Sequence, residues 1–202
     1  TPVAAALAQA QRMIAQAPDD ATRERAEDMQ TALRRLSRLT EKLMQLARAE
    51  GGRLLAEAPV EIGAILRMVV SEFDGKAETA GRIDLTLPDA PVFASIDADA
   101  FAILARNLIE NALKHGVRDE PVAVTLSADG CLRVTNAGPV VPSAVLARLS
   151  EPFERGQALV RGAGLGLAIA RTIAAGTNGR IELQSPASGR IDGFEARFFI
   201  DK

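Results

Sequence analysis

The run Gly162-Ala163-Gly164-Leu165-Gly166-Leu167-Ala168-Ile169 alternates three glycines with small or aliphatic residues and continues as Ala170-Arg171-Thr172-Ile173-Ala174-Ala175. Leu165, Ile169 and Ile173 recur every four residues, with Leu167 and Ala168 beside them, which is a helical period. The glycines therefore open a helix. A helix start lined by glycine offers unpaired N–H groups and the positive end of the dipole, and both suit a phosphate chain. A helix start packed tightly against a strand would also select glycine.

Two further stretches separate those readings. In Asn107-Leu108-Ile109-Glu110-Asn111-Ala112-Leu113-Lys114-His115, Asn107 and Asn111 stand four apart on one helical face, and Lys114 extends it. Leu104, Leu108, Ala112 and Leu113 make the buried stripe. Amide oxygens suit a hard cation and an ammonium suits the phosphates beside it. By its spacing Glu110 faces away from Asn107, as a solvated carboxylate. Thr135-Asn136-Ala137-Gly138-Pro139 closes a strand, and Glu151-Pro152-Phe153-Glu154-Arg155-Gly156 follows later.

These four stretches, in this order and spacing, resemble the N, G1, F and G2 boxes of the sensor histidine kinases of two-component systems, whose ATP-binding fold is shared with gyrase, mismatch-repair and chaperone ATPases. The resemblance covers nearly the whole chain. It implies a Mg²⁺ ligand at Asn111, a second polar group near metal and phosphates at Asn107, and a phosphate contact at Lys114. Related ATPases carry a water-activating glutamate where Asn107 stands; an amide cannot activate water, which fits transfer to a side chain. His115, the only histidine, matches a nucleotide-contacting position rather than the acceptor. Asn136 stands where most members carry the aspartate that accepts the adenine amino group, so the acceptor remains but its charge is lost. Gly138 matches the same box, whereas Val140 occupies the position of its second glycine. Phe153 would anchor the lid. Arg155 and Arg161 read either as phosphate contacts or as solvated loop charges. Gly162, Gly164 and Gly166, with Leu165 between them, would wrap the triphosphate.

Composition sets the surroundings. The 202 residues are 48% hydrophobic with a net charge of −2, enough for one domain and an accessory element without a nucleic-acid footprint. One cysteine, Cys131, forms no internal disulfide framework. The sequence shows no apolar run of membrane-spanning length and no leader pattern.

Residues 3 to 17 read as a helix with Val3, Leu7, Ala10, Ile14 and Ala17 on one seam. Pro18-Asp19-Asp20 breaks it and caps a second helix, where Met29, Leu33, Leu36, Thr40, Leu43 and Ala47 form a heptad seam. Leu39 and Leu46 widen that stripe beyond what one partner helix covers. The face is buried either against the chain's own globular domain or, as we favour, in a four-helix bundle made with a second copy. Glu50-Gly51-Gly52 stops the helix and forms a hinge.

Residues 54 to 60 are extended, residues 61 to 73 a helix and residues 83 to 87 an alternating strand. Val92 to Ile96 is a strand, and Asp97 caps the asparagine helix. Val122 to Leu126 and Leu132 to Thr135 form a hairpin around Ala128-Asp129-Gly130. Residues 143 to 149 are a short helix and residues 154 to 164 a lid. Ile181 to Gln184 and Phe194 to Ile200 are the last strands. The expected fold is α+β: an N-terminal helical hairpin, residues 1–52, then a two-layer α/β sandwich ATP-binding domain, residues 53–202.

The hairpin resembles the dimerisation and phosphotransfer domain. Thr1-Pro2 matches the end of its phosphoacceptor box, which puts the acceptor histidine ahead of residue 1 and gives Thr1 the polar role used in dephosphorylating the regulator. As bare residues, Thr1-Pro2 also read as a helix start. The resemblance implies ATP and Mg²⁺ as cofactors, a homodimer and a response-regulator receiver domain as partner. It also implies a cytoplasmic location, with any inner-membrane segments upstream. Two competing readings are a degenerate dimerisation and docking module with a weak nucleotide site, and an ATP-driven clamp of the gyrase or mismatch-repair type.

Overall fold

The computed structural model describes residues 2–51, 54–146, 149 and 165–200. It forms two compact units, Thr1–Met44 and Gln45–Lys202.

In the first unit, helix α1 (Pro2–Ala15) is followed by α2 (Asp20–Gly51), which runs on into the second unit. The break falls at Pro18-Asp19. Asp19 accepts the N–H of Thr22 at 2.7 Å, which satisfies one orphan donor of the helix start. That bond also holds the Asp19 carboxyl below the usual carboxylate range. Ala10 and Ala26 are fully buried, whereas Met29, Leu36 and Leu43, one heptad apart, stay 44–49% exposed.

The second unit is built on a five-stranded sheet. Its strands are β2 (Ile83–Thr86), β4 (Val122–Leu126), β5 (Leu132–Asn136), β7 (Phe194–Phe199) and β6 (Arg180–Gln184), in that order. Helices α3 (Ile62–Asp74), α4 (Ala98–His115) and α6 (Gly166–Gly176) pack against it. Side chains alternate as the pleat requires: Val122, Val124 and Leu126 of β4 are buried, as are Leu132 and Val134 of β5. They meet Leu104, Leu108 and Ile109 of α4 and Ile169 and Ile173 of α6 in a core where Phe101 and Phe198 lie 6.5 Å apart. Asp97 starts α4 by accepting the N–H of Ala100 at 2.9 Å, as its position in the sequence predicts. Gly130 turns the β4–β5 hairpin at φ +92°.

Two expectations change. Pairing is not confined to hairpins: β2 runs parallel to β4, with α4 as the crossover. The strand expected over Val92 to Ile96 shrinks to β3 (Phe93–Ala94), paired with β1 (Val60–Glu61). Its partner ends early because Glu61 is the N-cap of α3, accepting Ala64 N–H at 2.9 Å. The N–H of Asp97 then goes to the carbonyl of Leu54, 2.8 Å away. The short helix is described over α5 (Ser143–Leu146). The expected lid, residues 154 to 164, lies outside the described residues.

Candidate nucleotide site

The C-terminal half of α4 carries the first group of side chains. Asn107 is 1% exposed, while Asn111, Lys114 and His115 are half-buried on the following turns. The Asn107 amide nitrogen donates to the carbonyl of Ile103 at 2.8 Å and to Gln45 Oε1 at 3.4 Å. Gly166, the first residue of α6, lies against it, and a Cβ there would stand 3.3 Å from Asn107 Oδ1. The third glycine of the quoted run thus fits the close-packing reading of that run. Leu165, in the N-cap position of α6, is fully buried and gives the helix no side-chain cap. Glu110 is half-buried.

The second group surrounds Asn136 at the end of β5. Three glycines converge on it. A Cβ at Gly116 would stand 3.0 Å from Asn136 Cβ, one at Gly138 would stand 3.7 Å from its amide nitrogen, and one at Gly193 would overlap its carbonyl oxygen. Gly138 and Gly193 have φ of +153° and +82°, conformations closed to most side chains. The Asn136 amide nitrogen donates to the carbonyl of Ala137 at 2.9 Å. Its Oδ1 is buried and, among the described residues, has no partner. A buried acceptor left unpaired costs about 1–3 kcal/mol, so this oxygen would gain from a donor brought by a ligand.

His115 joins the groups. It is the last residue of α4, and its carbonyl lies 3.3 Å from where a Cβ on Gly138 would be. Burial, and then the neighbouring charge of Lys114, push its pKa below 6.5. That favours the neutral imidazole, in which one ring nitrogen donates and the other accepts.

Of the residues expected from the sequence, Asn107, Asn111, Lys114 and His115 lie on α4, Asn136 ends β5 with Gly138 just beyond it, and Leu165 and Gly166 lie at the start of α6. Gly116 and Gly193, which crowd Asn136, were not expected from the sequence. The only signals were a glycine straight after a helix-ending histidine and one between Asp192 and Phe194. Thr1, Phe153, Arg155, Arg161, Gly162 and Gly164 lie outside the described residues.

Residues 96–202, from the cap of α4 onwards, match the model of the family described as "Histidine kinase-, DNA gyrase B-, and HSP90-like ATPase". The chain belongs to that family. Among curated relatives of this ATPase, it is 33% identical over 174 residues to the bacteriophytochrome of Pseudomonas aeruginosa, covering 82% of this chain and 24% of that protein. It is 31% identical over 195 residues to the sensor protein QseC of Escherichia coli K12, covering 93% of this chain and 42% of QseC. Among solved structures, full-length ShkA in complex with AMPPNP is 25% identical with a TM-score of 0.71, over 98% of this chain and 42% of that one. The histidine kinase AdeS of Acinetobacter baumannii shares the fold at 20% identity and a TM-score of 0.63, over 99% and 96%. The chain thus spans well under half of the length of these two curated relatives. The sensor-histidine-kinase resemblance and the expected α+β class, helices first and then the ATPase sheet, both hold. Among the described residues no helix of this ATPase-family chain is long and apolar enough to cross a membrane.

Proposed function

We propose that this chain is the catalytic core of a sensor histidine kinase that binds ATP with Mg²⁺ and passes the γ-phosphoryl group to a histidine, for relay to a response-regulator aspartate. The observation that carries this reading is the unpartnered Oδ1 of Asn136 in its three-glycine cradle. An exocyclic amine on a flat base satisfies that oxygen, and glycine lets the base approach the backbone. The amides of Asn107 and Asn111 suit a hard cation, and Lys114 suits phosphate. Bound Mg²⁺ would neutralise phosphate charge. The chain's own groups orient the base, hold the phosphates at the start of α6 and keep an amide, rather than a water-activating carboxylate, at position 107. A degenerate docking module would have no need to keep a buried acceptor unsatisfied.

On this reading the acceptor imidazole is one other than His115. His115 is unsuited to that role, being half-buried at the end of the helix that faces the phosphates. In the transfer, the γ-phosphorus–oxygen bond to the β-phosphate breaks, its electron pair leaves with ADP, and an imidazole nitrogen forms the new bond to phosphorus.

Two measurements test this. Calorimetry should show ADP binding with a Mg²⁺-dependent increment that Asn111→Ala removes. Incubation with γ-labelled ATP should leave no acid-labile label on His115. Label that disappears in His115→Gln would overturn the acceptor assignment, and absence of nucleotide binding would overturn the site.

The apolar seam of α2 fits a second copy of the chain. Met29, Leu36 and Leu43 recur at heptad spacing and stand exposed. Leu36→Glu would bury a charge in that seam at a cost of several kcal/mol, and sedimentation should show dimers becoming monomers. A parent chain already monomeric at high micromolar concentration would sink the bundle.

A further inference from the structure

Three loops meet behind Asn136. The loop after α4 reaches the site through Val117, whose N–H donates to the carbonyl of Ala137 at 3.1 Å. The loop after β5 contributes Gly138, whose carbonyl accepts the N–H of Gly193 at 2.6 Å. The β6–β7 loop supplies Gly193 and Ser185. The Ser185 hydroxyl donates to the Gly193 carbonyl at 2.6 Å and accepts the N–H of Val141 at 2.9 Å. One side chain spans the outer two loops. Arg190 Nε donates to Asp192 Oδ1 at 2.7 Å, while its Nη2 donates to Asp192 Oδ2 at 3.3 Å and to Glu120 Oε2 at 3.1 Å.

We propose that Arg190 is a positioning residue for the base pocket: by joining Asp192 to Glu120 it fixes the β6–β7 loop against the loop after α4, and so sets where the Asn136 acceptor stands. This rests on the reading of Asn136 as the base contact. The planar fork of a guanidinium holds two carboxylates at set angles, which an ammonium cannot do. Asp192 immediately precedes Gly193, and Gly193 lies so close to Asn136 that a Cβ there would overlap its carbonyl oxygen. A shift of the loop therefore has no slack before it reaches Asn136. Both side chains of the Arg190–Glu120 pair are well exposed, at 38% and 47%. Exposed pairs contribute little to global stability, so the effect is read in binding rather than in unfolding.

Adenosine is the decisive probe because it carries no phosphate. Arg190→Gln should weaken adenosine and ADP by the same factor, about fivefold, with the unfolding midpoint nearly unchanged. Glu120→Gln should do the same, and the double variant should lose no more than either single one, since both remove one link. Arg190→Lys, which keeps the charge and loses the fork, should recover only part of the affinity. Parent-like adenosine binding in both single variants would overturn the proposal. So would additive losses, or a loss seen with ADP alone, which would mean that Arg190 acts on phosphate through its charge. A parent chain that binds neither ligand would instead remove the base-site reading, and this inference with it.

Discussion

Gly193→Ala is expected to cost roughly 3 kcal/mol of folding stability, against about 1 kcal/mol for Gly189→Ala. Both glycines sit at positive φ, +82° and +74°. Both substitutions therefore incur the left-handed penalty, about 1–2 kcal/mol for a residue with a side chain. They differ in what the new methyl meets. At Gly189 nothing lies within 4 Å, whereas at Gly193 it overlaps the carbonyl of Asn136. Overpacking adds about 1–3 kcal/mol, and it falls on backbone that is paired in the β5–β7 ladder. Denaturant midpoints at constant m-value measure the difference. Equal losses at the two positions would mean that the close approach at Gly193 is absent in solution. Because Gly193 backs Asn136, its variant should lose nucleotide affinity as well, which Gly189→Ala should not.

The second large effect is on binding. Asn136→Leu removes the acceptor and leaves the amine of a bound base unpaired, a penalty of about 2–3 kcal/mol, or about thirty- to a hundred-and-fiftyfold in affinity for ADP and ATP alike. The same substitution deprives the Ala137 carbonyl of its 2.9 Å donor. Calorimetry without Mg²⁺ isolates this contribution, and there Asn111→Ala should bind like the parent. Parent-like affinity in Asn136→Leu would mean that the base is held elsewhere. Asn136→Asp is not a simple gain despite its charge. A carboxylate oxygen would face the Ala137 carbonyl in place of the amide nitrogen, so the stronger acceptor comes with a repulsion inside the empty protein.

Much of this was legible in the sequence because the relevant forces are local. Asp97 and Asp19 cap the helices that they precede, and the alternation of Val122, Val124 and Leu126 fixes which face of β4 is buried. The spacing of Asn107 and Asn111 needs only a helical period to put them on one face. What escaped was set by distant chain. β2 pairs with β4 across the whole of α4, and no local pattern tells a parallel partner from an antiparallel one. Val92 to Ile96 has strand composition, yet β3 is limited by the point at which Glu61 turns from strand residue to helix cap. Gly193 gave no signal for the same reason. Its necessity comes from Asn136, far away in sequence and adjacent only through the β5–β7 pairing.

The parallel β2–α4–β4 unit also bears on how the site comes into being. Two strands that run the same way cannot zip from a tight turn. Their pairing needs the whole intervening crossover to close, a non-local step that is intrinsically slow. Asn107, Asn111 and Lys114 ride on that very helix. We expect their arrangement to open together with that sheet edge. The polar face of α4 is then no late embellishment of a finished scaffold. It arrives with a non-local pairing, Ile83 with Val122, and amide exchange along α4 should be as slow as that of β4.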